Sequence, residues 1–301
     1  MKNAVILSCF NRKAKTLSCL ESLFISRDRF NDVTNDKIVL SVFITDDGCT
    51  DGTADAIREK FSSENITLLQ GDGTLFWAGG MRLAWNEALK QHKEWDYYLL
   101  INDDTDVFEN MFFEMVSTQV YSKEHFGKEG LVSGVCCSKS DYSVVTYSGD
   151  VWVNKFLATE KRLNAIGIPQ RCDMANANIM LVPRYVVDKL GIFDKAYIHG
   201  VADYDYTVRA NKAHIPVLIS GNVCGKCDND HMTHRDRVHK MTTMTLNERK
   251  VYFSFPTHSR KDHITWVKKH APLRYPMVLI GGVLELYFPK LYFGLSNVRV
   301  K

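Results

Sequence analysis

Two groups of acids stand out by type and spacing. Asn102, Asp103, Asp104, Thr105 and Asp106 follow the apolar run Tyr97–Ile101, and Asp46 and Asp47 follow the apolar run Val39–Ile44. Acids cannot continue a strand buried on both faces without a large desolvation cost, so each group must emerge where its strand ends. Three carboxylates within four residues repel one another unless a cation sits among them. Hard oxygen donors of this kind suit Mg2+ or Mn2+. A solvated turn capping the next helix is the alternative for either group, since Asp and Thr are good N-caps. At the second group, TDDGCTDGT, a carboxylate can also accept hydrogen bonds from a base N–H or from ribose hydroxyls.

The elements that must hold these acids follow from the apolar pattern. Ala4–Cys9, Val39–Ile44, Ile66–Leu69 and Tyr97–Ile101 read as buried strands, with helical spacing over Thr16–Phe24 and Ala54–Phe61 between them. Strand alternating with helix predicts a parallel, doubly wound α/β sheet with right-handed crossovers, whose ligands lie at the carboxyl ends of its strands. No G-x-G-x-x-G follows the first strand, so the dinucleotide fingerprint is missing. The Gly71–Lys90 segment reads as a Gly-rich loop, with Gly73, Gly79, Gly80, Phe76 and Trp77, entering a helix near Met81. Further on, strands are expected over Gly130–Cys136 and Val144–Ser148. The apolar run Met174–Val182 is interrupted by Asn176 and Asn178. A helix over Tyr185–Leu190 is stopped by Gly191.

Composition narrows the class. A net charge of +3 over 301 residues gives no electrostatic case for nucleic acid. The cysteines show no disulfide spacing and no signal peptide is visible, which points to a reducing cytoplasm. Cys224-x-x-Cys227, followed by His231, His234 and His239, offers a zinc reading. Its Cys-to-His spacing is shorter than zinc fingers use, and it lacks a second Cys pair. In Tyr275–Leu295, two prolines and two charges argue against a membrane-spanning helix. Aromatics interleaved with Lys268, Lys269, His270 and Arg274 suit an interfacial helix peripheral to a membrane surface, with a core-covering or homodimer-forming helix as alternatives.

The order and spacing of Cys9-Phe10-Asn11-Arg12, FITDDGCTDGT, LLINDDTDV and IMLVPRYVVDKLGIFDKAYIHGVADYDYTVRA resemble the family 2 inverting glycosyltransferases of the GT-A fold, in a rhamnosyltransferase-like subgroup. The resemblance spans roughly residues 3–270. It implies a GT-A domain over 1–270, with a nucleotide-sugar half to 125 and an acceptor half to 270, and an apolar helical extension over 271–301. It implies transfer of a sugar, with inversion, from a UDP- or dTDP-sugar to a saccharide or lipid-linked saccharide, as in lipopolysaccharide or capsule synthesis at the inner face of the plasma membrane. By position, Cys9, Asn11, Arg12, Asp46, Asp47, Gly79, Arg82 and Asp103 fall around the nucleotide. Asp104 falls at the metal, with Asp106 as second choice and His231 as a candidate from a closing loop. Arg235 and Arg237 of that loop are further candidates for phosphate. Asp203 falls at the base and Asp205 pairs with Arg209. Trp77, Asn176, Asn178 and His199 fall near the sugar or acceptor. Arg82, Ala84 and Ala202 replace residues usual in the family. A nucleotidyltransferase would want a Gly-rich basic signature after the first strand, and Ser8–Lys15 has no Gly. A non-catalytic sugar-nucleotide or zinc-binding module is the other alternative.

Overall fold

The structure is a computed structural model and describes residues 1–91, 94–154, 159–229 and 232–297. In chain order the first half runs β1 (Lys2–Cys9), α1 (Lys13–Val33), β2 (Val39–Asp46), α2 (Thr53–Lys60), β3 (Ile66–Gln70), α3 (Phe76–Lys90), β4 (Tyr97–Ile101), β5 (Asp106–Val107) and α4 (Met111–Phe126). Then follow β6 (Leu131–Cys137), β7 (Val145–Tyr147), β8 (Gly149–Asn154), β9 (Thr159–Arg162), β10 (Gln170–Arg171), β11 (Met174–Ala175), β12 (Ile179–Pro183), α5 (Arg184–Leu190), α6 (Ala202–Lys212) and β13 (Val217–Lys226). The chain ends in α7 (His234–Thr243), α8 (Leu246–Ser254), α9 (Lys261–His270), α10 (Tyr275–Tyr287) and α11 (Pro289–Asn297).

The main sheet has the order β10-β13-β6-β12-β4-β1-β2-β3, with β5 and β7 paired at its margins. Strands β3, β2, β1 and β4 are mutually parallel, as the strand–helix alternation requires, and β12 enters antiparallel to β4. A small second sheet joins β11, β8 and β9. Alternation along a doubly buried strand divides the core in two. Ala4 and Ile6 of β1, with Tyr98 and Leu100 of β4, face one layer holding Met81, Trp85 and Tyr206. Val5 and Leu7, with Leu99 and Ile101, face the other, which holds Leu20, Leu23 and Phe112. This is why these runs read as continuously apolar rather than alternating.

Helix α3 begins at Phe76, five residues before the expected start. Gly79 and Gly80 are therefore buried in its first turns rather than part of a flexible loop. A Cβ on Gly80 would run into the Ser8 side chain, so the glycine lets α3 lie directly on β1. Thr45 Oγ1 donates to the Gly80 carbonyl at 2.8 Å and adds β2 to that contact. The interrupted run 174–182 forms two strands, β11 and β12, and the asparagines lie in the bend between them. Among the described residues no helix is long and apolar enough to cross a membrane.

Candidate active site

The carboxyl ends of β1, β2 and β4 open into one cleft of about 2060 Å3. Its lining includes Cys9, Arg12, Asp47, Trp77, Asn102, Asp103 and Asp104 on the strand-end side, and Asn176, Asn178, His199 and Asp203 opposite. The two sides are joined by backbone. Because β12 runs antiparallel to β4 with Ile179 opposite Ile101, the residues preceding β12 fall beside those following β4. Asn102 N–H accordingly donates to the Asn178 carbonyl at 3.1 Å. One residue earlier, Ala177 N–H donates to Asp203 Oδ2 at 3.1 Å. The acidic turn and the carboxylate on α6 are thus held one short backbone step apart.

The acidic turn separates into members with different partners. Arg12 Nη1 donates to Asp104 Oδ2 at 2.7 Å and to Asp103 Oδ1 at 3.3 Å. Asp104 Oδ1 also accepts the Cys227 thiol at 3.4 Å. Burial raises the Asp103 carboxyl to about 7, against the pull of Arg12. Its Oδ2 is buried with no hydrogen-bond partner. Asp106 instead accepts from Ser18 at 2.7 Å and pairs with Lys139 at 3.0 Å, and it does not line the cleft. The strand β5 carries Asp106, the second-choice metal ligand, beside β13. His231 lies outside the described residues.

Asp203 sits in the first turn of α6, partly exposed to the cleft. Desolvation raises its carboxyl to about 6, while backbone N–H donors from Ala177 and Tyr204 and the Asn176 side chain favour the charged form. Val201, just before the helix, adopts φ 53°, a costly conformation for a β-branched residue. What holds it there is Asp262 of α9, whose carboxylate accepts the N–H groups of Ile198, His199 and Gly200 at 2.7–3.2 Å. Asp205 points inward to Arg209 at 2.8 Å, as their i,i+4 spacing predicts. It also meets Tyr197, Lys269 and His270.

Several residues expected at the nucleotide have structural partners. Asp47 lines the cleft, but its oxygens accept the N–H groups of Gly73, Leu75 and Phe76 and so fix the start of α3. Asp46 accepts from Cys49 N–H at 2.6 Å, and Asn11 accepts from Thr50 N–H at 2.8 Å, tying the ends of β1 and β2 together. Gly79 is inside α3 and outside the cleft lining. Arg82, expected by resemblance near the diphosphate, does not line the cleft. Its guanidinium turns away to the carbonyls of Tyr197 at 2.7 Å and Asp194 at 3.2 Å, bracing the loop before α6. Trp77 donates its indole N–H to Asn102 Oδ1 at 2.8 Å and lies against Phe193. Arg237 pairs with Glu285 at 2.7 Å.

The zinc reading has no support among the described residues, where no three His, Cys, Asp or Glu side chains converge on one point. Cys224 and Cys227 are buried, and desolvation pushes both thiols up to about 12, the reverse of what a thiolate ligand needs.

No protein-family model matches the sequence, and no curated protein matches it. Solved structures do resemble it. The mannosyltransferase PcManGT from Pyrobaculum calidifontis, in complex with GDP-Man and Mn2+, is 17% identical, with a TM-score of 0.53 over 99% of this chain and 84% of that one. Residues 1–349 of S. aureus TarS are 13% identical, with a TM-score of 0.51 over 100% of this chain and 87% of that one. At such identities the likeness is one of fold: a mixed α/β domain with a mostly parallel central sheet flanked by helices, as the strand–helix alternation implied.

Proposed function

We propose that this chain is a divalent-metal-dependent, inverting glycosyltransferase that moves a sugar from a nucleoside-diphosphate donor to the hydroxyl of a saccharide acceptor. The observation that carries this reading is the placement of Asp104 and Asp203 on facing walls of one cleft, joined through Asn102, Asn178 and Ala177. The likeness to a mannosyltransferase bound to GDP-Man and Mn2+ supports it. So does cleft size, since about 2060 Å3 exceeds the roughly 300–1,000 Å3 of a typical small-molecule site and leaves room for two substrates.

The donor set fits a hard cation. Asp103 and Asp104 offer carboxylate oxygens, one of them buried without a partner, and Arg12 already lies across both. Mg2+ and Mn2+ commonly take only one or two protein carboxylates and complete their shell with phosphate and water. Asp103 and Asp104 would hold the ion, which supplies neutralisation of the departing diphosphate.

The chain's own residues do the rest. Asp203, raised to about 6, is ionised at neutral pH yet close enough to that range to accept a proton. It takes the acceptor hydroxyl's proton as the oxygen bonds to the anomeric carbon. The bond from that carbon to the diphosphate oxygen breaks on the opposite face, and its electron pair leaves with the diphosphate. Asn176 steadies the carboxylate, and Asp262 holds the loop that aims it. A panel of nucleotide sugars, scored by thermal shift with and without Mn2+, tests the reading. A metal-dependent rise with at least one donor is expected, and no response to any donor would overturn it.

A further inference from the structure

Cys227 stands behind the acidic turn, and its place is fixed by backbone. It follows β13, whose last residues pair with β5, Gly225 opposite Val107 and Lys226 opposite Asp106. A Cβ on Gly225 would come within 2.7 Å of the Asp106 carbonyl oxygen, so the glycine lets β13 close on β5. On the other side, Cys227 N–H donates to the Cys137 carbonyl at the end of β6, at 2.9 Å. The side chain is 1% exposed and does not line the cleft, so it can act there only through a neighbour.

That neighbour is Asp104, whose two oxygens have different surroundings. Oδ2 meets the half-exposed Arg12 at 2.7 Å. Oδ1 meets the buried Cys227 thiol at 3.4 Å. A thiol has one hydrogen to give. The Asp228 carbonyl also lies in its reach, but farther away at 3.7 Å and without a full charge. Asn178 Nδ2 donates to the sulfur at 3.6 Å, so the sulfur accepts from the opposite wall and keeps its hydrogen for the carboxylate. A thiol is a weak donor, but an ionised acceptor strengthens the bond.

The consequence concerns which ion the carboxylate suits. Mg2+ holds closely to octahedral geometry and takes one or two protein carboxylates, whereas Ca2+ gathers about six to eight oxygens and often takes both from one carboxylate. A carboxylate with one oxygen engaged by a donor has only the other to offer.

We propose that Cys227 sets the metal preference of this site: its thiol occupies Oδ1 of Asp104, leaves Oδ2 for the ion, and so disfavours Ca2+ against Mn2+ and Mg2+. Cys227 is a positioning residue, and the proposal rests on the reading in which Asp103 and Asp104 hold the ion.

The test is Mn2+ binding to the full chain, followed by loss of the free ion's EPR signal, with Ca2+ as competitor. The wild type is expected to bind Mn2+ and to yield little of it to Ca2+. C227A and C227V remove the donor, the second filling the space should the first not fold. Each should lower the ratio of the Ca2+ to the Mn2+ dissociation constant by about threefold or more, as when one modest hydrogen bond is lost. C227S keeps a donor and should hold the wild-type ratio. A sulfur that only fills space would lower the melting temperature or weaken both ions alike. An unchanged ratio in C227A and C227V therefore overturns the proposal, as does a C227S ratio that falls with theirs. D104N is titrated in parallel. Mn2+ binding that D104N leaves intact, or that the wild type lacks, would defeat the metal reading itself. Binding lost in D104N beside an unchanged ratio in the Cys227 variants would defeat only this inference.

Discussion

Arg12 and Asp104 meet at 2.7 Å where β1 and β4 end, with the same guanidinium nitrogen also 3.3 Å from Asp103. One cation therefore already neutralises the acid pair that the proposed metal would engage. The Arg12 side chain is 44% exposed and those of its partners are largely buried, so the pair lies between the surface and buried limits. R12M is expected to lose about 1–3 kcal/mol in EDTA, a melting temperature lower by several degrees. Mn2+ should close most of that gap by neutralising the same carboxylates. A deficit of equal size with and without Mn2+ would show that Arg12 and the metal do not share this place.

Asp203→Asn removes the proposed proton acceptor while keeping the shape, and its one oxygen can still accept either the Ala177 or the Tyr204 N–H group, which now bond separate carboxylate oxygens. Turnover should fall by roughly 10²–10⁴-fold, the worth of general base catalysis. Donor affinity should stay as in the wild type, because the carboxylate faces the nucleotide end from across the cleft. Titration calorimetry with nucleotide and Mn2+, alongside initial rates, checks both halves. A matching collapse in donor affinity would mean that Asp203 belongs to the donor site.

The raised carboxyl of Asp203 also sets a pH dependence. The proposed base works only when ionised, so kcat/KM should rise through a midpoint near pH 6 and level off above it. For stability the sign is opposite. A carboxyl whose folded value lies above its ordinary 3.8 contributes most when protonated, and that contribution fades as pH rises through about 6. D203N should therefore gain less than the wild type when the pH is lowered from neutral toward 5. Asp205 behaves otherwise: burial pushes it up, but His270, Lys269 and Arg209 outweigh burial and hold it below the usual range, so its support is lost as the pH falls below that range. A rate profile flat between pH 5 and 7.5 would remove Asp203 as the titrating base.

What could be read in advance followed local rules. Strands β1, β2 and β4 were legible because doubly buried strands are continuously apolar, and β3 as a short apolar run at the sheet's edge. Asp104 and Asp203 could each be singled out locally, but not that they line one cleft, which depends on β12 running antiparallel to β4. The direction of the Arg82 side chain could not be read for the same reason, since it is set by the 194–197 loop, more than a hundred residues later. Phe76 enters α3 at φ 54°, so the helix starts earlier than any Gly-rich pattern suggests. Arg237 was visible only as a candidate for phosphate, and nothing local tied it or Arg260 to Glu285.

Asp262 was missed altogether because its partners are backbone N–H groups some sixty residues earlier, at Ile198, His199 and Gly200. Successive N–H groups turned to one side form an anion site, and here the protein fills it from within. The carboxylate is buried and touches neither acid of the turn, so its effect on chemistry must pass through the strained Val201 and the first turn of α6. D262A should release that loop and let Asp203 drift from the acceptor. A displacement of about 1 Å can cost on the order of 10²-fold in rate. The loss should appear in kcat, with the KM for the donor unchanged, because the strand-end half of the cleft does not use this loop. Steady-state kinetics on the folded variant decide it: a rise in donor KM with kcat preserved would place Asp262 in support of the donor instead of the base.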